Sequence, residues 1–311
     1  MLAETLGAPV VLTINGKGIL PPCHPLLVGT LLPDAAIIEE LADADAVLAI
    51  GTELGETDTY LFGAWPLIGG ALVRVDIEAE QLFRNVSPDV GIVSDAGAAA
   101  RALTASLDTV PAKGGADRAK ALRFAALERL DPAYAAHGRI LTRIAEVFPD
   151  IIVAGDQTQP VYGANLAYDA PQARSFFNAS TGFGTLGYGL PAAFGAKLAA
   201  PDRKVISLIG DGGFQFTIAE LATGIELGLP VPILLWNNLG YGEIKSYMRD
   251  RQIQKIGVDI YTPDFQAIAR GFGAEATTAH SIDDLVAKIE AAFLGVGPML
   301  IEINDAAARN W

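Results

Sequence analysis

The chain has 311 residues, with 22 Lys+Arg against 36 Asp+Glu, a net charge of −14 and one cysteine. That length fits two domains, and a composition of 51% hydrophobic and 19% charged residues supplies a substantial core rather than a disordered segment. The acidic balance excludes a general nucleic-acid binder, which needs a basic face; Cys23 alone excludes a disulfide framework, and the scattered His24, His137 and His280 lack metal-ligand spacing.

From the N-terminus, MLAETL reads as the end of a helix, without the basic region of a secretory signal. It feeds a strand at 10–14 with no strand ahead of it, so the first α/β unit is expected to lack its opening strand and helix. Cys23 and His24, beside the Pro21-Pro22 turn, read as structural. A helix pattern covers 34–42, and strands are expected at 46–50 and 72–76. The stretch DTVPAKGGAD at 108–117 has Pro, paired Gly and charges but no apolar period, and reads as a linker. It separates a first domain at 1–107 from a second at 118–311. In the second, strands are expected at 151–154, 205–209, 232–236 and 299–303, and helices at 215–227, 262–271 and 282–294. His137 and His280 read as surface residues. Continuous apolar strands alternating with helices imply an α/β fold of parallel sheets covered on both faces. No apolar run approaches the roughly 18–20 residues of a membrane span, so a soluble, cytoplasmic protein is expected.

The strand 204–209 runs into Gly210-Asp211-Gly212-Gly213-Phe214. A carboxylate at the carboxyl end of a buried strand sits where α/β proteins bind ligands, and glycines let the backbone approach one closely. Thr217-Ile218-Ala219-Glu220 has the form of a capping box, followed by Leu221, Ala222 and Ile225 on the helix face of Ile218. Strand, acidic glycine loop and helix start thus suggest an anion site beside a ligand for a hard cation. The next strand ends in Asn237-Asn238-Leu239-Gly240, placing Asn238 27 residues after Asp211. A right-handed βαβ unit brings two such strand ends to one edge of the sheet. Asp and Asn oxygens suit Mg²⁺, which keeps its other positions for phosphate and water. Taken singly, Asp211 reads equally well as a helix cap and the asparagines as a turn; the spacing and the two strand ends together favour the cation. Gly182, Gly184 and Gly187 also match G-x-G-x-x-G, with Asp211 about 24 residues on, as in a dinucleotide fold. The glycines and asparagines around Asp211, which a ribose-binding acid does not need, weigh against that reading.

Gly210-Asp211-Gly212 followed by Asn237-Asn238 resembles the thiamine diphosphate signature GDG…NN. The segment GFGTLGYGLPAA at 182–193 is similar to the one upstream of it in the acetolactate synthase/2-oxo acid decarboxylase superfamily. Asn15-Gly16-Lys17-Gly18 through His24-Pro25, with 46–51 and 73–78, resembles that superfamily's central domain, so the likeness covers nearly the whole chain. GDQTQPVY at 155–162 and NNLGYGEIKSYM at 237–248 most resemble bacterial 5-guanidino-2-oxopentanoate decarboxylases.

The resemblance implies two Rossmann-like domains, a central one and a cofactor-binding one. It implies Mg²⁺ held by the Asp211 carboxylate, the Asn238 side-chain oxygen and the Gly240 carbonyl. The diphosphate of thiamine diphosphate would meet the Gly210–Gly213 turn, through the amides of Gly212 and Gly213, with Gln157 and Thr158 reaching it from the neighbouring strand end. Leu186 would lie under the bent cofactor, and the Gly184 carbonyl would accept from its aminopyrimidine amine. Glu243 stands where pyruvate decarboxylases carry a bulky aliphatic residue; it is read either as recognising a guanidino or amino group of the substrate or as an exposed helix Glu. The implied activity is non-oxidative decarboxylation of a 2-oxo acid, with an acetolactate synthase-type carboligase and a non-catalytic cofactor-binding subunit as alternatives. Acetolactate synthases hold FAD in the central domain, but here that domain is read as one that only packs. Nothing in the chain resembles the family's pyrimidine-binding domain with its activating glutamate. The isolated chain is therefore expected to be inactive, with the missing half supplied by a homo-oligomer (dimer or tetramer) or a second chain.

Overall fold

The computed structural model describes residues 1–107, 113–309 and 311. The chain divides into two units, one made of Met1–Gly16 and Leu20–Leu130, the other of Lys17–Ile19 and Asp131–Trp311. No helix among the described residues is long and apolar enough to cross a membrane.

In the first unit, β1 (Val10–Val11) pairs in parallel with β2 (Leu27–Gly29), while β3 (Ala46–Ile50), β4 (Ala71–Asp76) and β5 (Val90–Val93) form a parallel sheet in that order. The expected strand at 10–14 is shorter than read: the Ile14 N–H goes to the Asp58 carboxylate (2.8 Å) and a 3₁₀ turn begins there. The helix expected at 34–42 spans Ala35–Asp43, with Asp34 accepting the Ala36 N–H (2.9 Å) as its cap. Arg74, buried within β4, donates to the carbonyls of Thr52, Arg84 and Val86, each at 2.7 Å. It thereby ties the loops after β3 and β4 to the sheet. Arg74→Met leaves those three acceptors without their charged donor, and should destabilise the chain by about 2–4 kcal/mol. Urea unfolding beside the wild type measures that loss.

The two compact units divide after Leu130. The helix Gly115–Arg129 belongs to the first unit. Residues 108–112 of the expected linker lie outside the described residues, and 115–117 are helical. Only Gly115, Ala119 and Ala126 of this helix are buried, so it has almost no apolar stripe to declare its partner. Polar contacts attach it instead: Arg118 to Glu40, Arg129 to Asp34, and Arg123 donating to the Val28 carbonyl (3.0 Å).

The second unit is one all-parallel sheet of β6 (Ile152–Gly155), β7 (Phe176–Asn178), β8 (Val205–Gly210), β9 (Pro232–Asn237), β10 (Glu275–Ala279) and β11 (Met299–Asn304). Their order is β10-β11-β9-β8-β6-β7. Apolar residues of β6, β8, β9 and β11 pack with Leu190, Phe194, Phe214 and Phe265 from the covering helices. The helices expected at 262–271 and 282–294 span Phe265–Gly271 and Ile282–Phe293, capped by Asp264 and Ser281.

Two readings are corrected here. The helix expected from 215 begins at Asp211 and runs as Asp211–Thr217, a 3₁₀ turn Ile218–Glu220, and Leu221–Glu226. No capping box forms, because the Thr217 hydroxyl donates to the Gly187 carbonyl (2.8 Å) and Glu220 accepts from Thr223 (2.9 Å). His137 is buried rather than on the surface. It sits in the helix Pro132–Val147, edge-on to Trp236 with ring centroids 5.2 Å apart, and both ring nitrogens lack a partner among the described residues. His280 and Cys23 are exposed, and His24 Nδ1 accepts the Leu26 N–H (3.2 Å).

Candidate active site at the carboxyl edge of the large sheet

From β6 the chain moves outward to β7 and then crosses back to β8 on the other side of β6. The carboxyl ends of β6 and β8 therefore flank a topological switch point, where open α/β sheets leave a crevice for ligands. Three segments meet there: Asp156-Gln157-Thr158 after β6, Asp211 after β8 and Asn238-Leu239-Gly240 after β9. The register of β8 against β9 sets Gly210 opposite Trp236, so Asp211 and Asn238 do share one edge, as the spacing predicted.

Asp211 is 1% exposed, and its Oδ2 accepts the Gly240 N–H at 2.7 Å. Burial raises its carboxyl pKa, opposed by backbone N–H groups of Gly240, Asn238 and Gly212. Leu239 (φ 61°) and Gly240 (φ 128°) turn the chain back on itself; a Cβ on Gly240 would lie 2.6 Å from the Val258 carbonyl oxygen. The Asn238 side chain donates its Nδ2 to Gln159 Oε1 (3.3 Å). Its Oδ1 then lies 2.6 Å from the Gly240 carbonyl oxygen and 3.1 Å from Asp211 Oδ1. Oxygens crowded in this way repel unless a cation lies between them. Adjacent ligands at right angles around an ion with 2.0–2.1 Å bonds stand about 2.9 Å apart, so the donor set fits a small hard cation. Gly242 makes room for this amide, since a Cβ there would lie 2.4 Å from Asn238 Nδ2. The first asparagine of the pair is structural: Asn237 donates to Glu302 (2.8 Å) and accepts the Leu239 N–H (3.1 Å).

The glycines after β8 let the three segments converge. A Cβ on Gly212 would lie 2.7 Å from the Tyr241 ring, one on Gly213 2.8 Å from Asp156 Oδ1, and one on Gly210 3.1 Å from Thr158 Oγ1. Thr158 is buried at the start of the helix Gln159–Ala167. Gln157 accepts from the Tyr162 hydroxyl, and its Nε2 lies 2.5 Å from where a Cβ on Gly184 (φ 70°) would be. Gln157, Thr158, Gly184, Gly210, Gly212 and Gly213 thus surround the crevice at close range. Leu186 is half-buried on the loop that follows Gly184.

Two residues at this edge were missed in the sequence. Asp156 is fully buried; it accepts the N–H groups of Gln157 (2.7 Å) and Gly189 (2.8 Å). Burial raises its pKa against those hydrogen bonds. The carboxylate fastens the start of the helix Gly189–Ala199, just after the Gly184–Leu186 loop, to the end of β6. Its signal was a second Gly-Asp step after a buried strand, parallel to Gly210-Asp211. The other is Gln159, which contacts both Asn238 and Glu243. Glu243, on the helix Gly242–Asp250, is solvent-accessible, yet partial burial raises its pKa, helped by the nearby charges of Asp131 and Asp250 and opposed by its hydrogen bond with Gln159. It thus lies near Gln159, the partner of the Asn238 amide.

Residues 157–303 match the model of the thiamine pyrophosphate enzyme C-terminal TPP binding domain, and residues 1–103 that of the central domain. The chain is 41% identical over 316 residues to the Pseudomonas aeruginosa protein named "Probable 2-ketoarginine decarboxylase AruI", across 99% of the chain and 55% of that protein. It is 30% identical over 330 residues to the probable acetolactate synthase large subunit of Methanocaldococcus jannaschii, across 97% of the chain and 54% of that protein. The solved thiamine diphosphate-dependent 4-hydroxybenzoylformate decarboxylase of Rhodococcus jostii RHA1 superposes with a TM-score of 0.74 at 25% identity, covering 97% of the chain and 57% of that structure. The chain thus spans about half the length of the curated relatives it matches. With both of its domains matched and the signature residues gathered at one sheet edge, the chain belongs to the thiamine pyrophosphate enzymes and carries their central and C-terminal domains.

Proposed function

We propose that this chain supplies the diphosphate- and Mg²⁺-binding half of a cytoplasmic, thiamine diphosphate-dependent 2-oxo acid decarboxylase whose substrate bears a basic side chain. The observation that carries this is the convergence of Asp211 Oδ1, Asn238 Oδ1 and the Gly240 carbonyl, the hard-oxygen set that Mg²⁺ takes beside phosphate. When bound, thiamine diphosphate supplies a nucleophilic carbon and a sink for the electron pair left by departing CO₂. The chain's own residues bind and orient it. Asp211, Asn238 and Gly240 hold the cation; the N–H groups of Gly212 and Gly213, at a helix start, and the side chains of Gln157 and Thr158 face the diphosphate. The Gly184 carbonyl would accept a hydrogen bond from the aminopyrimidine, and Leu186 would pack against the cofactor. Glu243, with Asp131 and Asp250 near it, favours a cationic group on the substrate. This agrees with the name of the Pseudomonas relative, since a 2-ketoarginine ends in a guanidinium. The first unit binds no FAD in this reading, and a pyrimidine-binding domain covers the other end of the cofactor across a subunit boundary.

Native mass spectrometry tests the half-site directly. A 1:1 adduct of the chain with thiamine diphosphate and one Mg²⁺ is the expected result; no adduct at millimolar ligand would sink the reading. In the assembled enzyme, CO₂ released stoichiometrically from 5-guanidino-2-oxopentanoate supports the decarboxylase. A coupled product from two pyruvates would point instead to the carboligase that the Methanocaldococcus relative represents.

A further inference from the structure

The Asn238 amide has two orientations. In one, its nitrogen donates to the Gly240 carbonyl and to Asp211 Oδ1; in the other, the one the structure adopts, its oxygen joins theirs. Within the oxygen cluster alone the first is lower in energy, because it replaces repulsion by two hydrogen bonds. The opposite side of the amide decides otherwise. Asn238 Nδ2 donates to Gln159 Oε1 at 3.3 Å, and the Gln159 side chain lies close enough to the Glu243 carboxylate to favour its ionised form. An ionised carboxylate only accepts, so Gln159 offers its Nε2 to Glu243 and keeps its Oε1 for Asn238. Turning Asn238 over would set its oxygen 3.3 Å from Gln159 Oε1. Relieving that by turning Gln159 as well would press the Gln159 oxygen against Glu243. Gln159 has little freedom to move away, being the first residue of its helix and followed by buried Pro160. Gly242 leaves the space that Asn238 Nδ2 needs.

Resting on the cation reading above, the geometry points to Gln159 and Glu243 as positioning residues that fix the Asn238 amide with its oxygen toward the metal. Glu243 thereby prepares the cation site whether or not it also meets substrate. The Asn238 amide is the part of the ligand set that needs this help. A carbonyl and a carboxylate present oxygen in any orientation, whereas an amide presents oxygen in one of two.

The test is the affinity of the 311-residue chain for Mn²⁺ in the presence of thiamine diphosphate, followed by electron paramagnetic resonance. Gln159→Leu should weaken Mn²⁺ about tenfold, as removal of an outer-shell partner does. Glu243→Leu should act in the same direction, and the double variant should be no worse than Gln159→Leu, because the two act in series. The deciding background is Asn238→Asp. Its carboxylate has no nitrogen to misplace, so there Gln159→Leu should change the affinity less than about twofold. An equal loss in both backgrounds, or no loss in either, overturns the inference while leaving the cation site standing. A wild-type chain that binds neither ion nor cofactor overturns the cation reading and this inference with it. Thermal unfolding of each variant checks its folding, and Gln159→Met, of similar length and unbranched, gives the same test should the leucine not fold.

Discussion

If Asp211 holds Mg²⁺ as proposed, Asp211→Asn should abolish divalent-cation binding while making the unliganded protein more stable. The substitution keeps the shape and the acceptor that takes the Gly240 N–H, but removes the negative charge from the oxygen cluster. Outer-shell changes alone cost metal sites 10–100-fold, so losing the one charged ligand should weaken Mg²⁺ by more than about 100-fold, with thiamine diphosphate binding falling in parallel. The opposite effect on the empty chain follows from burial. Among the described residues Asp211 has no basic partner, and burial raises its pKa, so its charge is held against a desolvation cost. A neutral amide avoids that cost and should add about 1 kcal/mol, or roughly 2–4 °C in Tm. Calorimetry of both proteins without ligand, then with Mg²⁺ and cofactor, separates the two effects. An unchanged Mg²⁺ affinity would remove Asp211 from the ligand set.

The second large effect is on acid stability. Burial in an apolar wall lowers the His137 pKa from 6.5 to about 4, with Asp305 opposing and Arg309 reinforcing the shift. The ring lies beside a small cavity lined by Ile140, Leu141, Leu208, Leu234 and Ile303, among others. As pH falls the unfolded chain takes up the proton first, near 6.5, and the folded chain only near 4. Stability is thus intact above pH 6.5 and is lost between 6.5 and 4, at about 1.4 kcal/mol per unit and about 3 kcal/mol in all. His137→Phe removes the titrating group and fills the same apolar wall. In urea unfolding at pH 7.5 and 4.5, the variant should lose about 2.5 kcal/mol less than the wild type. Equal losses would mean that the imidazole finds a proton acceptor or solvent in the folded state.

Much of the large sheet was legible because β6, β8 and β9 are buried on both faces and read as near-continuous apolar runs, and β11 is apolar apart from Glu302 before its final Asn304. β7 has three residues, and β10 buries only Ala279, so neither carries such a run. The Asp211–Asn238 relation was legible from spacing, since one crossover between adjacent parallel strands leaves little freedom in where their ends fall. The start of the helix at Asp211 was not. Two glycines in a first turn disfavour helix by about 1 kcal/mol each, and only the Tyr241 ring and the Asp156 carboxylate, distant in sequence, explain them. His137 was misread although it opens a stripe with Ile140, Leu141 and Ile144 at helical spacing, all of them buried. The Gln159–Glu243 link joins residues on two helices, and no spacing in the sequence announces such a contact.

The glycines around the oxygen cluster also decide how this region can drift in sequence. Gly212 is opposed by the ring of Tyr241, which a second substitution can shrink. Gly242 is opposed by the Asn238 amide, which cannot shrink without losing its contact with Gln159. Gly240 is opposed by the backbone oxygen of Val258, which no substitution removes. A side chain at 212 can therefore be accommodated by a smaller residue at 241, whereas one at 240 would meet backbone and one at 242 the Asn238 amide. A substitution map of this chain would rank these three positions by the kind of atom facing each, independently of any role in chemistry.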